Sequence, residues 1–201
     1  MKQNLFLMTD LPINLTYKIQ LSIFIIFSAL SFFIPFLLGY PQWLVGTIVN
    51  TTLFLSSIFL PKKLYLPIII FPSLGVLVRG FIFGPFTPFL IYFLPFIWLG
   101  NLILIVMFKK IFEGEKSLKI KNKLIDFTNI KYVFAVFCAA TAKFLFLLII
   151  SNIYLGMGMV PKMFVSIMGL NQLATALSGG LISFLIFYIY EQYNSRSSRT
   201  A

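Results

Sequence analysis

Six times between residues 18 and 190 the sequence enters an apolar run about 20 residues long, and four of the runs stop at a turn-forming group. Wound as a helix, a run of that length crosses the roughly 30 Å hydrocarbon layer of a bilayer. The expected spans are 18–38, 42–60, 64–83, 86–108, 132–156 and 163–190. Gly39-Tyr40-Pro41, Pro61-Lys62-Lys63, Gly84-Pro85 and the stretch from Gly156 to Lys162 supply the turns. Pro67, Pro72, Pro88 and Pro95 predict kinks in the third and fourth spans, provided neighbours satisfy the freed carbonyls. Only 10% of the 201 residues are charged and 60% are hydrophobic, against about 25% charged in soluble domains. The fold class is therefore an all-α integral membrane protein with six transmembrane helices. The expected plan is an N-terminal segment at 1–17, a helical domain at 18–190 with a basic loop at 109–131, and a tail at 191–201. No signal peptide is expected, because the first apolar run follows Lys2 and is too long for a signal core.

Lys and Arg fix the expected orientation. Lys2 and Lys18 precede the first span, Lys62 and Lys63 follow the second, and seven lysines from Lys109 to Lys131 follow the fourth. The turns after spans one and three carry no charge, and Lys162 alone marks the loop after span five. Six spans with both termini in the cytoplasm satisfy this alternation. The net charge of +11 is then a topology signal lying against anionic lipid, not a nucleic-acid footprint. Gly114-Glu115-Lys116-Ser117 lacks the Gly-Lys pair, the upstream glycine and the preceding strand of a phosphate-binding loop, so no ATP site is expected there.

Two cations fall inside the spans, Arg79 and Lys143, with no acidic residue at their depth. Arg79 is four or five residues from the outer end of its helix, roughly 7 Å. It either snorkels to the surface or faces a cavity. Lys143 lies about 18 Å from Lys131 along the helix and must face protein, water or ligand. It serves a pocket, caps the carbonyls of a broken helix, or stays neutral. In the second span Trp43, Gly46, Thr47 and Asn50 share a face at helical spacing. In the sixth Asn171, Thr175 and Ser178 do so, with Gln172 adjacent. Asn50 and Asn171 each lie roughly 12 Å from the outer end, in the same outer half as Arg79. The convergence predicts an outward-opening cavity built from Trp43, Thr47, Asn50, Arg79, Lys143, Asn171, Gln172 and Thr175. Asn101 is placed nearer the inner side and outside this set. Small residues (Ala135, Cys138, Ala139 and Ala142, and Ala174, Ser178, Gly179 and Gly180) predict close helix approach or the docking of a second subunit.

Histidine is absent and no Asp or Glu lies within a span, so no catalytic or metal site is expected. Cys138 reads as a buried thiol without a general base, and no cofactor is expected. A cobalt or nickel ion would lack ligands, and a cationic solute would lack a carboxylate. Arg79 and Lys143 suit a carboxylate or phosphate, and Trp43, Tyr92 and Trp98 could stack on a ring. The expected ligand is a small anionic or neutral metabolite.

GTIVN from Gly46 to Asn50, the Pro/Gly-broken third helix, and PFIWLGN from Pro95 to Asn101 resemble the substrate-binding (S) components of energy-coupling factor (ECF) transporters. The resemblance covers nearly the whole chain. It implies a bacterial or archaeal multi-pass subunit that captures a vitamin-like micronutrient outside the cell. It further implies partnership with a membrane coupling subunit and two cytoplasmic ATPase subunits. In that family an alanine pair four residues apart on helix 1 helps dock the coupling subunit. Here the region offers Ser28, Ala29 and Ser31, with Phe33 where a second alanine would sit. The competing reading is an MreD-like structural or assembly protein, whose polar groups would pack against other helices and leave no cavity.

Overall fold

The computed structural model describes residues 15–83, 87–113 and 124–200. The chain forms α1 (Tyr17–Leu37), α2 (Gln42–Phe59), a 3-10 turn (Lys62–Leu64), α3 (Tyr65–Phe83), α4 (Thr87–Glu113), α5 (Leu124–Gly156), α6 (Met163–Met168) and α7 (Leu170–Thr200), with no strand among the described residues. Six segments are long and apolar enough to cross a membrane: Tyr17–Leu37, Gln42–Phe59, Lys62–Gly80, Pro88–Glu113, Ile130–Gly156 and Met163–Tyr193. This is a multi-pass, all-α membrane protein.

The boundaries differ from the sequence reading in instructive ways. Helix α4 continues through Lys109 and Lys110 to Glu113, and α5 begins at Leu124, so much of the expected 109–131 loop is helix. Lysine is a good helix former, and charge alone does not end a helix. The 191–201 tail is likewise helical as far as Thr200. Residues 1–14, the Gly84-Pro85 turn and the centre of the basic loop at 114–123 lie outside the described residues. Pro67 and Pro88 fall in the first turns of α3 and α4, where proline costs no helical hydrogen bond. Only Pro72 and Pro95, with Pro35 in α1, sit in helix interiors. The expected sixth span is broken at Gly169 into the short α6 and the long α7.

Helix α2 is the centre of the bundle and touches α1, α3, α4 and α7. It is the least hydrophobic span, with a mean hydropathy of 1.2, and the most enclosed, with 67% of its residues buried. The two facts have one cause. Its Asn, Thr and Ser side chains are unwelcome in lipid but harmless inside protein when bonded. Thr51, Thr52, Ser56 and Ser57 each donate to a carbonyl three or four residues back, at 2.6–2.9 Å. Around it α4 packs on α5, α1 on α3, and α5 on α7.

At the end of the bundle near Lys109 the interior is an aromatic layer of Phe54, Phe108, Phe112, Tyr132 and Phe187, with ring centroids 5.0–5.7 Å apart. Tyr132 is fully buried and its hydroxyl lies 2.8 Å from Ser183 Oγ, which in turn donates to Gly180 O. Tyr132→Phe leaves Ser183 its own acceptor and should cost about 1 kcal/mol. Ser183→Ala strands the phenol in an apolar layer and should cost about twice that. Unfolding midpoints in detergent check the order, and equal losses would show that Ser183 is not the phenol's acceptor. A second aromatic cluster at the opposite end joins Phe93, Tyr154 and Phe164.

Candidate functional site

Between the two aromatic layers lies a cavity of about 490 Å³. It opens where the α1–α2 turn (Leu38, Gly39, Tyr40) and the start of α6 form the rim, and the aromatic layer beside Phe54 lies beyond its floor. That is the size of an ordinary small-molecule site.

Lys143 stands at the floor. It is at the midpoint of the Ile130–Gly156 span, about 20 Å along the helix from either end. Only 2% of it is exposed. Its Nζ donates to Asn50 Oδ1 at 2.8 Å, and Asn50 is the one hydrogen-bond partner it has among the described residues. Asn50 is oriented for this by its other end: Nδ2 donates to Gly46 O at 2.9 Å and to Thr175 Oγ1 at 3.2 Å. Thr175 itself donates to Asn171 O at 2.8 Å. The relay ties α5 to α2 and α2 to α7 at one depth. An ammonium has three donors, one of which is taken here, and the group lines the cavity.

Arg79 stands at the rim. Its guanidinium donates to Leu37 O at 3.1 Å and Phe36 O at 3.5 Å, the last carbonyls of α1. Those carbonyls have no partner within their own helix, and a cation beside them also meets the negative end of the helix dipole. Gly39 makes room for it: a Cβ there would fall on the guanidinium. The arginine therefore caps a neighbouring helix while lining the cavity.

The break at Gly169 completes the wall. It starts α7 beside the cavity, and Asn171 and Gln172 of its first turn line it together with Thr175. The positive end of a long helix dipole falls at the same place. No Asp or Glu lines the cavity among the described residues, and no cluster there could hold a metal ion.

Of the eight side chains proposed from sequence, Asn50, Arg79, Lys143, Asn171, Gln172 and Thr175 line this cavity. Trp43 and Thr47 do not. Trp43 is 64% exposed on the outside of the bundle. Thr47 is buried in the seam between α2 and α7, its Oγ1 without a hydrogen-bond partner among the described residues. Tyr92 and Trp98 also lie off the cavity, and Phe164 is an aromatic ring that does line it. Asn101 was misplaced: it lines the cavity, with Nδ2 held by Ile69 O at 3.0 Å. Ser28 is buried within the bundle, Ala29 is half-buried, and Ser31 bonds Thr52 of α2 at 3.3 Å. Ala135 and Ala139 are fully buried against neighbouring helices. No protein-family model, curated protein or solved structure matches this chain.

Proposed function

We propose that the chain is the solute-capture subunit of an ECF-type importer. It takes a small vitamin-like metabolite bearing a carboxylate or phosphate from outside the cell, and partner subunits drive uptake with ATP. The observation that carries the reading is the buried Lys143. A lysine at mid-membrane costs about 2.5–3.5 kcal/mol even on the mildest scale. Here it is spent at the floor of a solvent-sized hollow, with donors left for a guest. Arg79 at the rim and the start of α7 add positive potential, and no carboxylate opposes them. Discontinuous helices whose N-termini meet an anionic solute recur in membrane transporters. A scaffold would have packed this level solid, so the 490 Å³ hollow favours capture over assembly.

In this reading the Lys109 end is cytoplasmic, as the positive-inside rule asks. The mouth at Gly39 and Tyr40 then faces outward, and both termini and the ATPase partners lie inside. The test is purification of the full chain in mild detergent and mass spectrometry of retained small molecules. A carboxylate- or phosphate-bearing metabolite should be retained by the wild type. Lys143→Met should lose it at least about tenfold, and Asn171→Ala, which removes one hydrogen-bonding side chain, by about fivefold. A wild type that retains nothing above background when grown in rich medium, or equal retention by Lys143→Met, rejects the reading.

A further inference from the structure

A second hollow, of about 860 Å³, lies between α3 and α4 toward the opposite end of the bundle. It is a groove on the lipid-facing side. Its walls are Leu66, Leu99, Leu102 and Val106, exposed by 63%, 47%, 41% and 51%, and Tyr65 and Ile69 form a buried floor. At one end stand Lys62, Lys109 and Lys110 with Glu113. At the other stands Trp98, its indole N–H already given to Ser73 Oγ at 2.6 Å, so that the groove meets ring rather than donor.

The basic end is built, not incidental. Lys109 is buried; its Nζ donates to Tyr65 Oη at 3.1 Å and pairs with Glu113 at 3.5 Å. Lys62 and Lys110 are exposed beside it. Among the described residues three lysines and one carboxylate stand at this end. Lys109 and Trp98 are eleven residues apart on α4, about 16 Å of helix. The hydrocarbon half-thickness of a bilayer is about 15 Å. The groove is thus one leaflet long, apolar along its length, and cationic where lipid headgroups lie.

We propose that this groove is a binding site for one anionic phospholipid. An acyl chain lies along Leu66, Leu99, Leu102 and Val106, and the phosphodiester meets Lys62 and Lys110. A zwitterionic lipid would fill the same trough without answering the charge. A partner's helix, about 10 Å across, would have to part α3 from α4, which are in contact. The site is separate from the cavity at Lys143: Ser73 and Asn101 line the cavity and Ile69 and Trp98 the groove, with the Trp98–Ser73 and Asn101–Ile69 bonds between the two. It rests on the membrane reading alone and stands whatever the cavity binds.

The test is titration of the delipidated full chain with phosphatidylglycerol and phosphatidylcholine of identical acyl chains, read by native mass spectrometry. One phosphatidylglycerol should be retained about thirtyfold more tightly than phosphatidylcholine, the scale expected for two lysines near a charged headgroup. K62Q/K110Q should erase that preference and leave the weaker chain binding. Leu102→Trp, which fills the trough, should remove both, and Val106→Trp repeats the test should the first fail to fold. K63Q, outside the groove, should change nothing. Equal retention of the two lipids by the wild type overturns the proposal, as does a preference that survives K62Q/K110Q. Undiminished binding to both Trp variants, or a protein partner cross-linked at Leu102 in place of lipid, overturns it too.

Discussion

Asn50→Leu destabilises the protein by about 3 kcal/mol, Lys143→Met by less than about 1, and the double variant recovers most of the loss. The asymmetry follows from what each substitution leaves behind. Leucine at 50 removes the Oδ1 that accepts from Lys143 at 2.8 Å, so a buried amino group stays in the bundle with nothing to bond. It also removes the donor to Gly46 O and Thr175 Oγ1, but Thr175 keeps Asn171 O as its own acceptor. Methionine at 143 has similar length and no charge; it leaves Asn50 tied to α2 and α7 and strands only the neutral Oδ1, a cost offset by removing an amine from mid-membrane. Replacing a buried polar network by apolar groups of matching volume is often neutral, whereas removing one partner is not. Unfolding of the four proteins in one detergent closes the cycle, with a coupling of about 2 kcal/mol. Additive losses would show that the 2.8 Å contact does not hold Lys143 in place. Ligand retention moves differently: it should vanish in Lys143→Met, which is the more stable variant. Loss of function without loss of stability separates a binding group from a structural one.

The depth of the site was legible, and its walls only partly. Asn50 and Asn171 could be brought together, and Lys143 placed at mid-membrane, by counting along helices, because 1.5 Å per residue is a reliable ruler once the ends are known. Where the ends were wrong the ruler failed. Asn101 sat seven residues from an end placed at 108, but α4 runs to Glu113 and Asn101 is near its middle. The sequence put the end at the first lysine, but the helix carries Lys109 and Lys110 within it, with Lys109 bonded to Tyr65 of α3. Trp43 and Thr47 failed for another reason. Shared spacing puts side chains on one broad face, yet Thr47 sits in the seam with α7 and Trp43 on the outside of the bundle, and of the three only Asn50 reaches the cavity. The low hydropathy of α2 signalled its central position; nothing in its period could say which side was hollow. The break at Gly169 is the remaining omission. A lone glycine in an apolar run weakens a helix by about 1 kcal/mol, too little to announce a break; in the fold a Cβ at 169 would fall against the Val165 carbonyl and Leu148, so the position is closed to a side chain.

Gly179→Ala should damage the protein more than any other single added methyl discussed here, at a cost of about 2–3 kcal/mol. A Cβ at 179 would lie 2.8 Å from Thr47 O, from Thr51 N and from Asn50 Cβ. The first two are backbone atoms of α2 and have no rotamer to escape into, so α7 must back away. Backing away lengthens the Thr51 Oγ1 bond to Gly179 O, now 3.3 Å, and the Asn50 bond to Thr175 one turn above it. The seam and the cavity floor therefore fail together, and ligand retention should fall with stability. Gly180→Ala is a graded control, because there the methyl meets side-chain atoms of Val136, which can yield only at the cost of a disfavoured χ1. Gly156→Ala is a neutral one, with nothing within 4 Å. The expected order of unfolding midpoints is Gly156→Ala highest, Gly180→Ala next and Gly179→Ala lowest. A Gly179→Ala protein as stable as Gly156→Ala would mean that α2 and α7 are not in backbone contact, and that the Asn50 relay is held by something other than this seam.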